Sequence, residues 1–218
     1  MTIFQKLSWM VQMGIHDLCD EKVHPLSKNT PFKKMKNASL TDLDKELATS
    51  KSSLSATATH PLGGIGVVPP TVMCILESPS AHEDKTGIPL SGPEGELLKK
   101  MLSSIGLDIN TQTYVGYLSP WRAPGARVLT PLEIKEGLGL LNKRIEAVYP
   151  KVLLVFGMSV TKALLDIPIG QARAKQHTYL NYPTFATFAP NFLLKSPSYK
   201  KQAWEDLKKF QTFLQEKL

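Results

Sequence analysis

Three carboxylates and two serines crowd into the ten residues Ile75 to Asp84, which read ILESPSAHED. An apolar run, Val72 to Leu76, stops at Glu77; Ser78, Pro79, Ser80, His82 and the pair Glu83–Asp84 follow. In an open α/β sheet, ligands bind just outside the carboxyl ends of the strands. A carboxylate at that place either does chemistry on a bound ligand or merely ends a strand. Ser78 and Ser80 suggest a hydrolase, but no G-x-S-x-G elbow accompanies them.

Other chemistry-bearing residues are sparse. Histidines stand at 16, 24, 60, 82 and 177, and no two have metal-ligand spacing on one helix face. The two cysteines, Cys19 and Cys74, are isolated, and no C-x-x-C occurs. Cys74 lies inside the apolar run and reads as a small buried hydrophobe. Gly157 follows an apolar run and precedes a helical pattern, but neither G-x-G-x-x-G nor G-x-x-x-x-G-K-[ST] is present. It reads as a tight strand-to-helix turn.

The elements that must position these groups are legible in the hydrophobic periodicity. Strands are expected at Val72–Leu76, Thr113–Leu118, Lys151–Gly157 and Thr184–Pro190. Between them lie helical patterns. One runs from Ser91 with Leu97, Leu98, Met101, Leu102 and Ile105 on one face, Ser91 and Glu94 forming a capping box and Gly106 the stop. Another opens with Thr130, Pro131 and Glu133 as a second capping box. A third follows Gly157, and an amphipathic helix closes the chain. This alternation predicts an α/β fold, a parallel sheet with helices on both faces. Upstream, apolar spacing predicts helices near residues 3–18 and at Leu40–Ala48. The Ser, Thr, Gly and Pro content of 51–69 predicts a linker. The expected organisation is thus a helical extension at 1–50, a linker at 51–69 and a domain at 70–218.

With 218 residues, 42% hydrophobic and 21% charged, the chain is ordinary for a water-soluble globular protein. A net charge of +7 admits a polyanionic partner. Only four of its 26 cations are arginines, so the same charge also describes a generic lysine-rich surface. The N-terminal residues lack a signal-peptide core and a membrane-length stretch. The expectation is a cytoplasmic protein without membrane attachment.

Four segments resemble one family. VMCILESPSAHEDKTGIPLSGPEGELLKKMLSSIGLD, PWRAPGARVLTPLEI, YPKVLLVFGMSVTKALL and FAPNFLLKSPSYKKQAWEDLKKF occur in this order. They resemble, colinearly from Pro70 onward, the motif regions of family 4 uracil-DNA glycosylases. The resemblance implies a three-layer αβα domain with a central four-stranded parallel sheet. It implies a DNA repair enzyme that flips a damaged nucleotide into a pocket and hydrolyses its N-glycosidic bond. Glu77 would be the catalytic carboxylate, stabilising the cationic sugar or orienting water. Ser78, Pro79, Ser80, Leu90, Tyr117 and Ala189 fall on substrate-binding positions. Leu194, Lys195, Ser196 and Lys200 fall on the segment that wedges into the duplex and meets phosphates. The partner would be uracil-containing DNA, single- or double-stranded, and the protein a monomer.

The departures from the family pattern cluster in the pocket. Leu76 and Ser80 stand where the family has glycine, Leu90 where it has the uracil-stacking Phe, Tyr117 where it has the pocket Asn, and Ala189 where it has the histidine of the second motif. His82 or Tyr117 could supply a replacement donor. The cluster cysteines fall on Trp121, Gly137 and Ser52, so the expectation is no cofactor and no metal. Scaffold residues persist at Gly87, Gly92, Gly95, Thr130, Pro131, Pro150 and Gly157. Two functions remain open from sequence: base excision of uracil with activity weak or lost, and a non-catalytic DNA-binding or protein-interaction module on the same fold. A third, an unrelated small-ligand α/β protein, is disfavoured by the colinear segments.

Overall fold

The structure, a computed structural model, describes residues 40–50 and 52–217. The expected helix near residues 3–18 lies outside the described residues. Elements are numbered from the first described one.

Six strands form one sheet: β1 (Gly64–Gly66), β2 (Val72–Leu76), β3 (Thr113–Tyr117), β4 (Val152–Phe156), β5 (His177–Tyr179) and β6 (Tyr182–Thr187). Their order is β1-β3-β2-β4-β6-β5. The inner four, β3-β2-β4-β6, are mutually parallel, while β1 and β5 add antiparallel edges. The four expected strands are therefore the central four. β1 lies inside 51–69, where a linker was expected. Gly64 and Gly66 take φ of 141° and 135°, and a Cβ on either would run into the β3 backbone, so this short pairing needs glycine.

β2 and β4 are buried on both faces, as a parallel core strand must be. Period-two alternation divides their side chains. Val72, Cys74, Val152, Leu154 and Phe156 join one core layer; Met73, Ile75, Leu153 and Val155 join the other. The first layer is covered by α3 (Gly92–Ser103) and α8 (Lys200–Lys217), through Leu98, Leu102, Leu207 and Phe210. The second is covered by α1 (Leu40–Thr49), α4 (Pro131–Val148), α5 (Met158–Leu165) and α6 (Ile169–Ala172). The remaining helices, α2 (Ala81–Thr86) and α7 (Pro190–Lys195), are short and sit at strand ends. The Arg144 guanidinium ties α4 to α1 and β3, donating to Asp44 at 2.7 Å and to the Tyr114 hydroxyl at 2.9 Å.

The Thr130–Glu133 capping box forms with both reciprocal bonds, and Arg127 grips Glu133 at 2.7 and 2.9 Å. That grip and the cap hold the Glu133 carboxyl down, at about 2. Ser91 precedes α3 but makes no side-chain cap bond; its hydroxyl donates to the Ile88 carbonyl instead. Among the described residues, no helix is long and apolar enough to cross a membrane.

Candidate functional site

The site lies at the carboxyl ends of β2, β3, β4 and β6. β2 ends at Leu76, and Glu77 continues beside β3: the Leu118 N–H donates to the Leu76 carbonyl at 2.7 Å and the Ser119 N–H to the Glu77 carbonyl at 2.8 Å. The Glu77 backbone is thus fixed while its side chain stays half-buried. Burial pushes the Glu77 carboxyl up, and a hydrogen bond from the Ser159 side chain, in the first turn of α5, holds it partly down. Gly157, just before α5, takes φ 94° and stands against Ala189: a Cβ there would come within 3.0 Å of the Ala189 Cβ. Glycine therefore lets the β4 and β6 ends approach closely.

Ser78 and Ser80 are half-buried and Pro79 is buried. Ser80 caps α2 in a box with Glu83, giving 2.7 Å from the Ser80 N–H to the Glu83 carboxylate and 3.2 Å for the reciprocal bond. Glu83, 3% exposed, also accepts from the Leu90 N–H at 2.6 Å and from the Tyr117 hydroxyl at 2.6 Å. Three donors from three segments thus converge on one buried carboxylate, a satisfied and rigidifying network. Burial and the neighbouring Glu83 carboxylate together push the Tyr117 hydroxyl up, so it stays protonated.

The structure brings Glu77, Ser78, Pro79, Ser80, Tyr117 and Ala189 to one end of the sheet. It turns some of them away from a ligand. The Tyr117 hydroxyl is committed to Glu83. Leu90 is 3% exposed, held in the left-handed region at φ 58°, and joins the core. Ala189 precedes α7 and offers a methyl group, half-buried. His82 is exposed and packs over Gly92. In α7, Leu193 is buried while Leu194 is 40% exposed and Lys195 exposed. Ser196 is half-buried and Lys200 exposed at the start of α8.

Three groups at the site escaped the sequence reading. Ser159 reaches Glu77 only through the fold. Glu94, expected as a cap, instead accepts from the Ser80 hydroxyl; burial raises its pKa, and Lys195 and Arg122 lie close enough to oppose the rise. Arg173 braces the end of β6, donating to Asp206 at 2.7 and 3.1 Å and stacking 4.1 Å over the Phe188 ring. Asp206 also accepts from the Thr187 hydroxyl at 2.8 Å. The strong Arg–Asp pair was hidden because its partners are distant in sequence.

The positions matched to cluster cysteines do not fit an iron–sulfur cluster. Trp121 is 4% exposed, in the same apolar layer as Leu54 and Leu129. Ser52 donates to Glu136 at 2.9 Å. Gly137 lies so close to the Leu118 carbonyl that a Cβ cannot be placed without moving backbone. Among the described residues, no three His, Cys, Asp or Glu side chains gather as a metal site.

The family model for the uracil DNA glycosylase superfamily matches residues 64–208. The type-4 uracil-DNA glycosylase of Archaeoglobus fulgidus is 26% identical over 182 residues, covering 78% of this chain and 91% of that protein. The corresponding glycosylase of Sulfurisphaera tokodaii is 27% identical over 174 residues, covering 75% and 79%. A DNA polymerase of Bacillus phage SP01 is 27% identical over 158 residues, 72% of this chain but 17% of the polymerase.

Proposed function

Because the chain belongs to the uracil DNA glycosylase superfamily, we propose that it is a uracil-DNA glycosylase-like repair protein that hydrolyses the N-glycosidic bond of uracil in DNA slowly. The observation that carries this reading is Glu77: a half-buried carboxylate at a strand end, its backbone pinned by β3 and its side chain bonded by Ser159. A sugar cation developing beside it would gain electrostatic stabilisation, and water on it would be oriented. The leaving-base side is poorer. Ala189 has no donor, Leu90 offers no stacking face, and the Tyr117 hydroxyl is occupied. Loss of one preorganised donor costs roughly 10²–10³ in rate, which supports a slow enzyme. DNA is engaged through Leu194, Lys195, Ser196 and Lys200, with the protein a monomer in the cytosol.

The test is alkaline cleavage of a uracil-containing single strand after incubation with excess protein. Slow cleavage that Glu77→Gln abolishes supports the proposal, and Ala189→His raises the rate. Cleavage unaffected by Glu77→Gln overturns the assignment of the carboxylate.

A second reading has a specific observation behind it. The Glu83 network uses as a structural brace the tyrosine that stands at the pocket position. A fold so braced, with no cleavage by any variant but salt-sensitive DNA binding, would be a non-catalytic binding module.

A further inference from the structure

α8 carries its charge unevenly. Ala203, Leu207 and Phe210 bury one face against the sheet. On one exposed flank lie Lys200, Trp204 and Lys208, at positions i, i+4 and i+8, with Lys201 beside them. Glu205 borders this flank, four residues after Lys201 and three before Lys208, and Glu216 lies near the helix end. Trp204 is 40% exposed, whereas Phe210 on the buried face is 1% exposed. The Lys208 ammonium sits 6.0 Å from the centre of its ring, at the edge of cation–π range. This flank starts where α7 and the Pro197–Tyr199 turn end, directly after Leu194, Lys195 and the 39%-exposed Tyr199. Lys200 and Lys208 are two helical turns apart, about 12 Å along the axis.

We propose that this flank of α8 is a track for single-stranded DNA continuing away from the candidate site, with Trp204 as a base-stacking platform and Lys200, Lys201 and Lys208 meeting phosphates. The proposal rests on the reading of the protein as DNA-binding and extends it to strand beyond the site. The chemistry favours this occupant. A basic flank selects a polyanion. An accessible indole between lysines adds stacking on an unpaired base, which duplex DNA keeps inside its stack and an acidic peptide lacks. Glu205 sets one carboxylate beside the three lysines of the track, which keep the excess of positive charge.

The experiment compares binding of two single-stranded oligonucleotides to the full chain by fluorescence anisotropy: a short one spanning the candidate site and a longer one running past α8. Both carry bases, and an abasic version of the longer strand is the control. The expected result is that Trp204→Ala weakens the longer strand roughly ten-fold and the short one little, while Trp204→Phe retains binding. Lys201→Glu with Lys208→Glu lowers the salt slope for the longer strand by about two. All four side chains are exposed, so these variants keep the fold, which circular dichroism checks. Unchanged binding of the longer strand in both variants, with Lys195→Ala weakening both oligonucleotides, overturns the track while leaving the DNA reading intact. Equal affinity for the abasic strand, or for poly-glutamate, overturns it as charge without stacking. No binding of either strand by the wild type removes the DNA reading and the track together.

Discussion

Tyr117 donates its hydroxyl to Glu83 across 2.6 Å, joining the end of β3 to the loop after β2. The same carboxylate accepts from the Ser80 and Leu90 backbones. One buried acid therefore sets the position of three segments around the candidate site. Tyr117→Phe removes one charge-assisted bond and leaves the other donors in place. Unfolding in urea should show a loss of about 1.5–3 kcal/mol. An unchanged midpoint would mean that the backbone donors alone organise the loop.

Gly137 gives a sharper steric test. Its Cα faces the Leu118 carbonyl with no room for a methyl group. Gly137→Ala should cost about 1–3 kcal/mol through overpacking, despite the better helix propensity of alanine. Gly137→Cys should be at least as costly, since its Cβ would meet the same Leu118 carbonyl, and should not confer iron binding, since the other two matched positions hold Trp121 and Ser52. Stoichiometric iron with a visible absorbance band in the purified wild type would overturn this account of the region.

Glu133 makes stability depend on acid. Its folded carboxyl is held at about 2, against roughly 4.3 for an unperturbed glutamate. A depressed folded value adds stability above the unfolded value, and that stability is lost as pH falls toward the folded one. Urea midpoints should therefore drop between about pH 5 and pH 2. In Glu133→Gln this part of the slope should be absent and the neutral-pH midpoint lower. A parallel acid limb in wild type and variant would refute the assignment.

The core strands and the Thr130–Glu133 box were legible because each depends on neighbours in sequence. Continuous apolar runs announce a strand buried on both faces, and S/T-x-x-E announces a cap. The same cap rule failed at Ser91: the chain enters α3 through Gly92 at φ 82°, and Glu94 turns toward Ser80 instead. The true box one helix earlier, Ser80 with Glu83, sat inside the stretch read for chemistry. β1 and β5 have three residues each, too few for any periodicity. β5 turns into β6 through Leu180 and Asn181, both at positive φ, which suits a tight hairpin; a leucine there carries no turn signal. At the site, Glu77 was legible from its place after a strand. Ser159, Arg173 and the commitment of Tyr117 to Glu83 were not, because tertiary contacts alone create them.

Glu77 and Ser159 allow the function to be tested by pH. Burial raises the Glu77 pKa and Ser159 opposes the rise. If the charged carboxylate supports glycosidic cleavage, the single-turnover rate falls as pH drops through that raised value, above the usual glutamate range. Ser159→Ala removes the opposing bond, so the acid limb should move to higher pH. Glu77→Gln should remove the limb along with the activity. Stability runs the other way. A carboxyl raised in the folded state is more protonated there than in the unfolded chain, so folding is weakened as pH rises through the window between the two values. Glu77→Gln should therefore unfold at slightly higher urea than wild type at neutral pH while losing cleavage. That opposite movement separates a residue kept for chemistry from one kept for the fold. A variant that is destabilised and equally active would make Glu77 a polar strand terminus. An acid limb that stays in place in Ser159→Ala would show that the serine does not set the charge on Glu77.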